Sequence, residues 1–316
     1  MTDTLTTVPT LSLATADTDP DAFAHRLGGC FERFGFAVVE DHGIDPALIA
    51  DAWGVTAGFF ARPDADKRAF YTAELAGQRG YTPFRTEIAK GAATHDLKEF
   101  WHVGRTLAPG QSAPGLPENL WPDEPAHFRP VLERLYAEFD RVGLRLLSAI
   151  ARWLDLDPHW FDSRVEVGNS ILRLLHYPPI PVHAEGERAG AHEDINLITL
   201  LLGAEEAGLE LKDRETGEWL AIDPPAGALV VNVGDMLQRL TNHRLPSTSH
   251  RVVNPPPERR AQPRYSMPFF LHFNSDVLIE TLPGCVGEAE PDRYPDPITA
   301  DSYLHERLVE IGLLKG

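Results

Sequence analysis

The chain of 316 residues has little of several features that mark particular protein classes. Its two cysteines, Cys30 and Cys285, are too few for a disulfide framework and have no zinc-like spacing. It has no run of 18 apolar residues, so no segment is expected to span a bilayer. No basic region followed by an apolar run opens the chain, so no secretory signal is expected. These absences predict a cytoplasmic location and no contact with a membrane.

Basic residues are also scarce, since 29 Lys and Arg face 47 Asp and Glu and give a formal net charge of −18. This charge argues against nucleic acid or an anionic membrane surface as a partner. The hydrophobic fraction of 43% is enough for a full core, and nothing in the composition indicates a fibrous or disordered chain. The expected partner is therefore a small molecule, while the oligomeric state cannot be read from the sequence.

The chain changes character near residue 165. Before this point it is mostly helical by pattern: Asp-Pro pairs predict helices over about 19–34 and 45–60, because proline is favoured at the first helical position. A short apolar strand is predicted between them, over 36–39. Apolar residues at three- and four-residue steps predict a long helix over about 124–154 that packs on a large flat surface.

After residue 165, short segments rich in branched and aromatic residues alternate with turn residues. They predict a mainly β fold with α-helices: a jelly-roll core with the long helix packed on one sheet and a final helix over about 300–314. The predicted strands are Ser170–Tyr177, Ile195–Leu202, Leu209–Lys212, Trp219–Ile222, Ala228–Val233, Thr248–Val253 and Arg264–Phe273.

A candidate metal site involves two of these strands, because His192 and Asp194 precede the strand Ile195–Leu202 and His250 lies within Thr248–Val253. His192 and Asp194 are two apart, so on an extended segment their side chains leave the same face, while that of Glu193 points away. His250, from a distant strand, would complete a set of two histidines and one carboxylate. Three ligands on one face of Fe(II) leave the other face open for substrate and O₂. The sequence therefore predicts a non-haem iron site.

A second pair, Arg264 and Ser266, shares one face of the last core strand. A guanidinium binds a carboxylate with two parallel hydrogen bonds, and a neighbouring hydroxyl adds a third donor. Tyr177 could donate to the same carboxylate. The strand is otherwise apolar, and a buried arginine needs an anionic partner. This arrangement predicts a site for the distal carboxylate of 2-oxoglutarate.

With these motifs the chain resembles the isopenicillin N synthase-like branch of the Fe(II)/2-oxoglutarate-dependent dioxygenases. The resemblance extends from about Val8 to Leu314 and implies a double-stranded β-helix core, with Fe(II) on His192, Asp194 and His250 and 2-oxoglutarate on Arg264, Ser266 and Tyr177. The matching segments, in order, are FGFAVVEDHGI, GFFARPDADK, RGYTPF, DLKEFWHVG, HYPP, AHEDINLITLLL, GLEL, EWLAIDPPAGALVVNVGDMLQRLTNHRLPSTSHRVVNPP and RYSMPFF.

The resemblance also implies one integrated catalytic unit with four parts. A helical N-terminal region (1–120) precedes the long support helix and its connection (121–165). The oxygenase core (166–280) and a C-terminal helix (281–316) follow.

Two departures bear on the co-substrate. Many family members have Asn where this chain has Leu175, so one hydrogen bond to the co-substrate is expected to be missing. The interval between His250 and Arg264 is slightly long, and Arg259 or Arg260 could in principle replace Arg264, although only Arg264 has the R-x-S setting.

Other polar residues are candidates for the substrate, a small molecule that could be a carboxylate or an amino-acid derivative. Arg85 or Arg105 could bind such a carboxylate. Lys98 and Glu99 are expected to pair with each other, and Arg251 to anchor its strand facing away from the iron. The full set of candidate substrate residues is Tyr81, Phe84, Arg85, His102, Arg105, Asn196 and His272.

The predicted function is a dioxygenase that couples oxidative decarboxylation of 2-oxoglutarate to hydroxylation, desaturation or cyclisation of a small organic substrate. An Fe(II) oxidase of the same fold that needs no 2-oxoglutarate is the main alternative. A zinc hydrolase or lyase is a second, because imidazole and carboxylate also bind zinc. A jelly-roll binding or sensing module without chemistry is a third.

Overall fold

The computed structural model describes residues 7–75, 77–87, 94–113, 115–180, 186–203 and 208–310. Its helices are α1 Thr15–Thr18, α2 Pro20–Phe34, α3 Pro46–Phe60, α4 Asp64–Arg68, α5 Phe128–Trp153, α6 Asp162–Val165, α7 Asp235–Leu240 and α8 Ala300–Glu310. Its strands are β1 Thr10–Ser12, β2 Phe36–Glu40, β3 Gly80–Thr82, β4 Glu99–Gly104, β5 Ile171–Tyr177, β6 Ala189–His192, β7 Ile198–Gly203, β8 Leu209–Lys212, β9 Trp219–Ala221, β10 Leu229–Val233, β11 His250–Val252, β12 Arg264–Leu271, β13 Leu278–Ile279 and β14 Ile298–Thr299.

Two sheets form the core of the described chain. The large sheet has the order β1-β2-β10-β7-β12-β5-β4-β3, and the small sheet has the order β6-β11-β8-β9. Apolar side chains from both sheets pack together, among them Leu175 and Val230 from the large sheet and Leu211 and Val252 from the small one. Two packed sheets of antiparallel pairs with long crossovers are the predicted jelly-roll architecture.

The long helix α5 packs on the outer face of the large sheet, as its apolar stripe predicts. Side chains alternate along β12, so Phe269 points outward while Ser266 and Phe270 point inward. The ring of Phe139 on α5 stacks on Phe269 with 5.5 Å between centroids. One strand therefore contributes to the helix-packed core with one face and to the interior of the jelly roll with the other.

The two Asp-Pro helices begin where the sequence predicts. Asp19 accepts a hydrogen bond from the backbone of Ala22, and Asp45 accepts one from Ala47, so each aspartate satisfies an amide at a helix start. The long helix begins at Phe128 instead of about Glu124. The last helix begins at Ala300 as predicted, and its predicted end near Leu314 lies outside the described residues.

The first half is mostly helical and contains the predicted strand β2, but the strands β1, β3 and β4, which were not predicted, also join the large sheet. Strand β4 is buried along its whole length, so its sequence lacks the polar alternation of a half-exposed strand. Among the described helices, none is both long and apolar enough to cross a membrane.

The segment around Gly234 also differs from expectation. The pair Gly234-Asp235 has the composition of a turn after the predicted strand Ala228–Val233, but the structure has helix α7 beginning there. A Cβ on Gly234 would lie 2.1 Å from the carbonyl oxygen of Asn196, so only glycine permits this approach of two backbones. The amides of Gly234, Asp235 and Met236 donate to carbonyls of residues 194–197. Strand β7 consequently begins at Ile198, not at Ile195.

Candidate active site

The two histidines of the predicted metal site are cross-strand neighbours. His192 ends β6, His250 begins β11, and the two are paired directly in the antiparallel register. Their ring centroids are 4.4 Å apart. Asp194 follows two residues after His192, and one ligand atom from each of the three residues lies within 4.8 Å of the others. Strand β6 was not predicted from the sequence, but it is the element that places His192 beside His250.

Backbone carbonyls orient both imidazoles in the same way. Nδ1 of His192 lies 2.8 Å from the carbonyl oxygen of Gly190, and Nδ1 of His250 lies 3.2 Å from that of Thr248. A carbonyl only accepts, so each Nδ1 carries the proton and donates it. Each Nε2 then presents a lone pair, 3.9 Å from an oxygen of Asp194. Neutral imidazoles held in this tautomer are ready to bind a metal through Nε2.

Hydrogen bonds from two strands of the large sheet hold the carboxylate of Asp194. Its Oδ2 accepts from Thr199 Oγ1 at 2.6 Å and from Asn232 Nδ2 at 2.8 Å. Burial alone would raise the pKa of Asp194, but His250, His192 and these two hydrogen bonds lower it below its ordinary value. Burial and His250 lower the pKa of His192 to about 4. The site therefore holds an anionic carboxylate at Asp194 beside a neutral imidazole at His192.

Sequence reasoning missed Thr199 and Asn232. They are cross-strand partners on β7 and β10, and both side chains point into the jelly roll beneath Asp194. Each is a single polar residue in an otherwise apolar strand, ITLLLG and LVVNV. A lone polar residue in such a run was the available signal, because a buried polar group requires a partner.

Arg264, Ser266 and Tyr177 lie together at one end of the interior. Arg264 pairs in register with Tyr177, and its guanidinium carbon is 5.2 Å from the tyrosine ring centroid. The three residues are 3%, 2% and 2% exposed. Arg264 Nη1 donates to Ser266 Oγ at 3.5 Å. Apolar residues of both sheets, including Leu175 and Leu209, form the cluster that contains Tyr177.

A cavity of about 430 Å³ lies beside the candidate metal ligands. Its wall includes His192 and Asp194 and, from the inner face of the large sheet, Ile171, Arg173 and Phe270. Helix α8 also contributes side chains to the wall, Leu304, Arg307 and Leu308. This volume is in the range of small-molecule sites.

A network of charged side chains that the sequence did not reveal lines one wall of this cavity. Lys98 Nζ lies 2.9 Å from both Glu87 and Asp96, and Arg173 binds Glu87 with both terminal nitrogens at 3.2 and 3.3 Å. Arg173 Nε donates to His102 Nε2 at 2.6 Å, and His102 Nδ1 donates to Gly77. Two cations therefore meet two anions, and His102 is neutral with both nitrogens bonded.

The structure brings some predicted substrate residues to the cavity and leaves others away from it. His102, Asn196 and His272 line the cavity. Tyr81 is fully buried in the core and donates to Glu99, and Arg105 binds Asp140 at 2.7 and 2.9 Å.

Phe84 and Arg85 are exposed near β3, and neither is among the residues that line the cavity in the described chain. Asn196 uses its amide nitrogen on Ile198 and Thr199, so it supports the Asp194 segment. The expected pair of Lys98 and Glu99 is wrong, because neighbours on a strand face opposite ways and Glu99 instead binds Lys67, Tyr81 and His176.

The remaining histidines take structural or surface positions. His176 binds Glu99 at 2.7 Å, and His243 contacts the Tyr294 hydroxyl at 2.6 Å. His183 lies outside the described residues. Arg251 binds Glu210 at 2.8 Å and anchors its strand as expected. Four further histidines are exposed: His25, His127, His159 and His305.

Comparisons with known proteins agree with this geometry. A profile described as "2OG-Fe(II) oxygenase superfamily" matches residues 168–273, and one described as "non-haem dioxygenase in morphine synthesis N-terminal" matches residues 8–124. A 2-oxoglutarate-Fe(II) type oxidoreductase of Aspergillus fumigatus is 33% identical over 291 residues, which cover 89% of this chain and 85% of that protein.

Solved structures agree as well. A 2OG-Fe(II) oxygenase family protein from Caulobacter crescentus is similar with a TM-score of 0.89 and 53% identity, over 96% of this chain and 99% of that one. Neurospora crassa T7H, solved with alpha-KG and thymine, gives a TM-score of 0.84 and 29% identity over 96% of both chains. The chain therefore belongs to the 2OG-Fe(II) oxygenase superfamily, whose enzymes use Fe(II), 2-oxoglutarate and O₂.

Proposed function

We propose that His192, Asp194 and His250 hold the Fe(II) of this dioxygenase. The observation that carries the assignment is the approach of their three ligand atoms to within 4.8 Å. Their fixed tautomers and anionic carboxylate are the donor set that Fe(II) takes in such oxygenases. Bound there, the iron would supply the oxidative chemistry that joins O₂, 2-oxoglutarate and substrate. The protein residues orient the ligands and exclude water.

Arg264, Ser266 and Tyr177 are the proposed partners of the distal carboxylate of 2-oxoglutarate. The support is that the guanidinium of Arg264 lies beside the hydroxyl of Ser266 and the ring of Tyr177, with each residue no more than 3% exposed. A guanidinium with neighbouring hydroxyl groups suits a carboxylate. Arg259 is exposed and Arg260 half-buried, on the turn before β12, which favours Arg264 over both. Leu175 pairs with Ser266 in the register, and its side chain offers no hydrogen bond. Arg264, Ser266 and Tyr177 would therefore bind the carboxylate without the asparagine amide that many family members have at this position.

The cavity bounded by His272, Phe270 and Arg173 is the proposed substrate site. His272 is 7% exposed, and its ring has no hydrogen-bond partner in the part of the chain that the structure describes. Burial lowers the pKa of His272 to about 4, so at neutral pH it offers one donor and one acceptor. We propose His272 as a substrate-binding residue, with His102 acting through Arg173.

The substrate is proposed to be a small organic molecule. A carboxylate or amino-acid derivative stays a prediction, and Arg85 and Arg105 do not support it because neither lines the cavity. The similarity to T7H, which was solved with thymine, favours a compact polar molecule of comparable size. The reaction class within oxidation (hydroxylation, desaturation or cyclisation) depends on which C–H bond of that molecule reaches the metal.

Three finer predictions belong to the same proposal. Placement in the isopenicillin N synthase-like branch is supported by the ordered motifs from FGFAVVEDHGI to RYSMPFF. A cytoplasmic location is supported by the two unpaired cysteines, Cys30 and Cys285. The division at residues 120, 165 and 280 is supported by the position of α5 between the N-terminal elements and the jelly-roll strands.

An anaerobic titration tests the metal and co-substrate assignments together. Fe(II) added with 2-oxoglutarate to the full chain should give a weak visible charge-transfer band, and oxygen should then convert 2-oxoglutarate to succinate. Absence of the band, or turnover that needs O₂ but releases no succinate, would contradict the co-substrate assignment and favour the oxidase alternative. Hydrolysis that proceeds without O₂ would favour a zinc enzyme.

A further inference from the structure

A short segment between α4 and β3 carries two polar side chains with different surroundings. Gln78 lines the cavity, whereas Arg79 is 1% exposed and lies behind it. A Cβ on Gly104 would lie 2.0 Å from the guanidinium carbon of Arg79, so the glycine leaves the space that the guanidinium occupies. His102 binds the carbonyl of Gly77, and Arg79 Nη1 donates to the carbonyl of Gln78 at 2.7 Å. The segment is thus held in place from both sides.

Arg79 orients the side-chain amide of Asn169, and Asn169 in turn orients that of Gln78. Its Nη2 donates to Asn169 Oδ1 at 2.8 Å, and since a guanidinium only donates, the atom of Asn169 that faces it must be the oxygen. The nitrogen of Asn169 then faces Gln78 and donates to its Oε1 at 3.1 Å. These two hydrogen bonds form a relay from Arg79 through Asn169 to Gln78. The Nε2 of Gln78 comes last in it and presents N–H donors toward the cavity.

The positive charge of Arg79 polarises the hydrogen bonds of the relay. No carboxylate pairs with Arg79 within the described residues, in contrast to Lys98 and Arg173, which share Glu87. Burial lowers the pKa of Arg79 to about 10, so it remains protonated at neutral pH. A buried cation without an anion polarises the hydrogen bonds that lead away from it. The cavity therefore has a donor, backed by positive charge, at Gln78.

We propose that Gln78, oriented by Arg79 through Asn169, determines substrate specificity by selecting molecules that present a carbonyl or carboxylate oxygen at this wall. The inference rests on the proposed function, in that the cavity is taken as the substrate site. Gln78 would contact the substrate, whereas Asn169 and Arg79 are positioning residues. Gln78 is half-buried in the cavity wall, and a donor held in this position disfavours a ligand that also donates there.

Binding of three probes that share a benzene ring tests the proposal. Acetophenone presents a neutral acceptor, benzoate an anionic acceptor and benzylamine a cationic donor. Ligand-observed NMR on the full chain, with excess 2-oxoglutarate and without iron, gives their relative affinities. We expect both acceptor probes to bind more tightly than benzylamine. The order of acetophenone and benzoate tells whether a carbonyl or a carboxylate is preferred.

Two substitutions should reverse this order by independent routes. Gln78→Glu places an acceptor where the relay now ends in a donor. Asn169→Asp presents oxygens to both neighbours, so Gln78 must rotate and turn its own oxygen toward the cavity. In each variant we expect acetophenone to bind roughly tenfold more weakly, the loss of about one hydrogen bond, and benzylamine to bind more tightly. Gln111→Glu, which makes the same change on an exposed loop, should keep the original order.

Each outcome of this experiment decides the proposal. A reversed order in both variants, with thermal unfolding like that of Gln111→Glu, supports it, because a merely structural role would weaken all probes alike. Retention of the original order in either folded variant, or a preference of the unsubstituted chain for benzylamine, overturns it. The assay needs no iron, so a failed Fe(II) titration would count against the proposed function and leave this result standing.

Discussion

The two ends of the jelly-roll interior hold their cations in different ways. At the co-substrate end, Arg264 lies among apolar side chains of both sheets, with a hydroxyl from Ser266 and a ring from Tyr177 beside it. At the substrate end, Lys98 and Arg173 are bound by carboxylates of Glu87 and Asp96. Tyr177 and Arg173 lie on the same face of β5, and Ser266 and Phe270 lie on the same face of β12, so both ends use the inner face of the large sheet.

This difference shows how one scaffold can combine a constant reaction with a variable substrate. A guanidinium beside hydroxyl groups favours one kind of ligand, a carboxylate of matching shape. A network whose charges already cancel makes no such demand, so neutral hydrogen-bonding groups such as Gln78 and His272 can decide selection. Under the proposed assignment, the co-substrate end is specialised for one dicarboxylate, and the substrate end for shape and hydrogen bonding.

The largest expected effect comes from removing a proposed ligand of the metal, which both ends share. His192→Ala deletes one of three ligand groups, so we expect loss of Fe(II) binding and succinate formation at background level. His159→Ala removes an exposed histidine that binds Asp162, and it should behave like the unsubstituted chain. Iron content after anaerobic loading and succinate release measure both. Activity retained in His192→Ala would remove the metal assignment.

Breaking the charge network at the substrate end should cost stability. Glu87→Gln leaves Lys98 and Arg173 short of one negative charge, and we expect a loss of about 3 kcal/mol in the free energy of unfolding. Glu138→Gln breaks an exposed pair with Arg141 and should cost less than about 1 kcal/mol. Urea unfolding gives both values, and equal losses would show that the network contributes no more than a surface ion pair.

The same network predicts a dependence on pH. Burial alone would raise the pKa of Glu87, but Arg173 and Lys98 lower it below its ordinary value. Its stabilisation is therefore complete above the unfolded-state pKa, about 4.3, and is lost as the pH falls toward the lowered folded-state value. Unfolding free energies between pH 6 and pH 3 should fall less steeply in Glu87→Gln. Parallel curves would contradict the assignment of this slope to Glu87.

A smaller effect is expected at the co-substrate end. Arg264→Lys keeps the charge but loses the two parallel hydrogen bonds, so the KM for 2-oxoglutarate should rise roughly 10- to 100-fold. Arg260→Lys, on the turn before β12, should leave the KM unchanged. Steady-state succinate formation measures both. If Arg260→Lys has the larger effect, the carboxylate binds to the turn and the contrast between the two ends fails.

The smallest expected effect concerns the support of Asp194. Thr199→Val removes the 2.6 Å hydrogen bond to Oδ2 while Asn232 keeps its own, so Fe(II) affinity should fall about tenfold. Thr18→Val makes the same change at an exposed helix end and should have no effect on affinity. Anaerobic Fe(II) titration compares the two. An unchanged affinity in Thr199→Val would mean that Asn232 alone orients the carboxylate.

Local patterns were sufficient for much of the fold and for proposing the metal ligands. The Asp-Pro starts of α2 and α3, the apolar stripe of α5 and most core strands follow from short-range rules. The spacing of His192 and Asp194 likewise indicates a shared face. Strand β6, helix α7 and strand β4 were missed, since the sequence of each lacks the periodicity of a half-exposed element.

The sequence by itself determined which residues can bind iron and a dicarboxylate, because those chemistries depend on residue type and on spacing within one strand. Only the tertiary structure decided what surrounds them. The pairing of His192 with His250, the bonds of Thr199 and Asn232 to Asp194, and the relay from Arg79 to Gln78 join positions far apart in the chain. Such contacts arise from sheet register and packing, which no local pattern encodes.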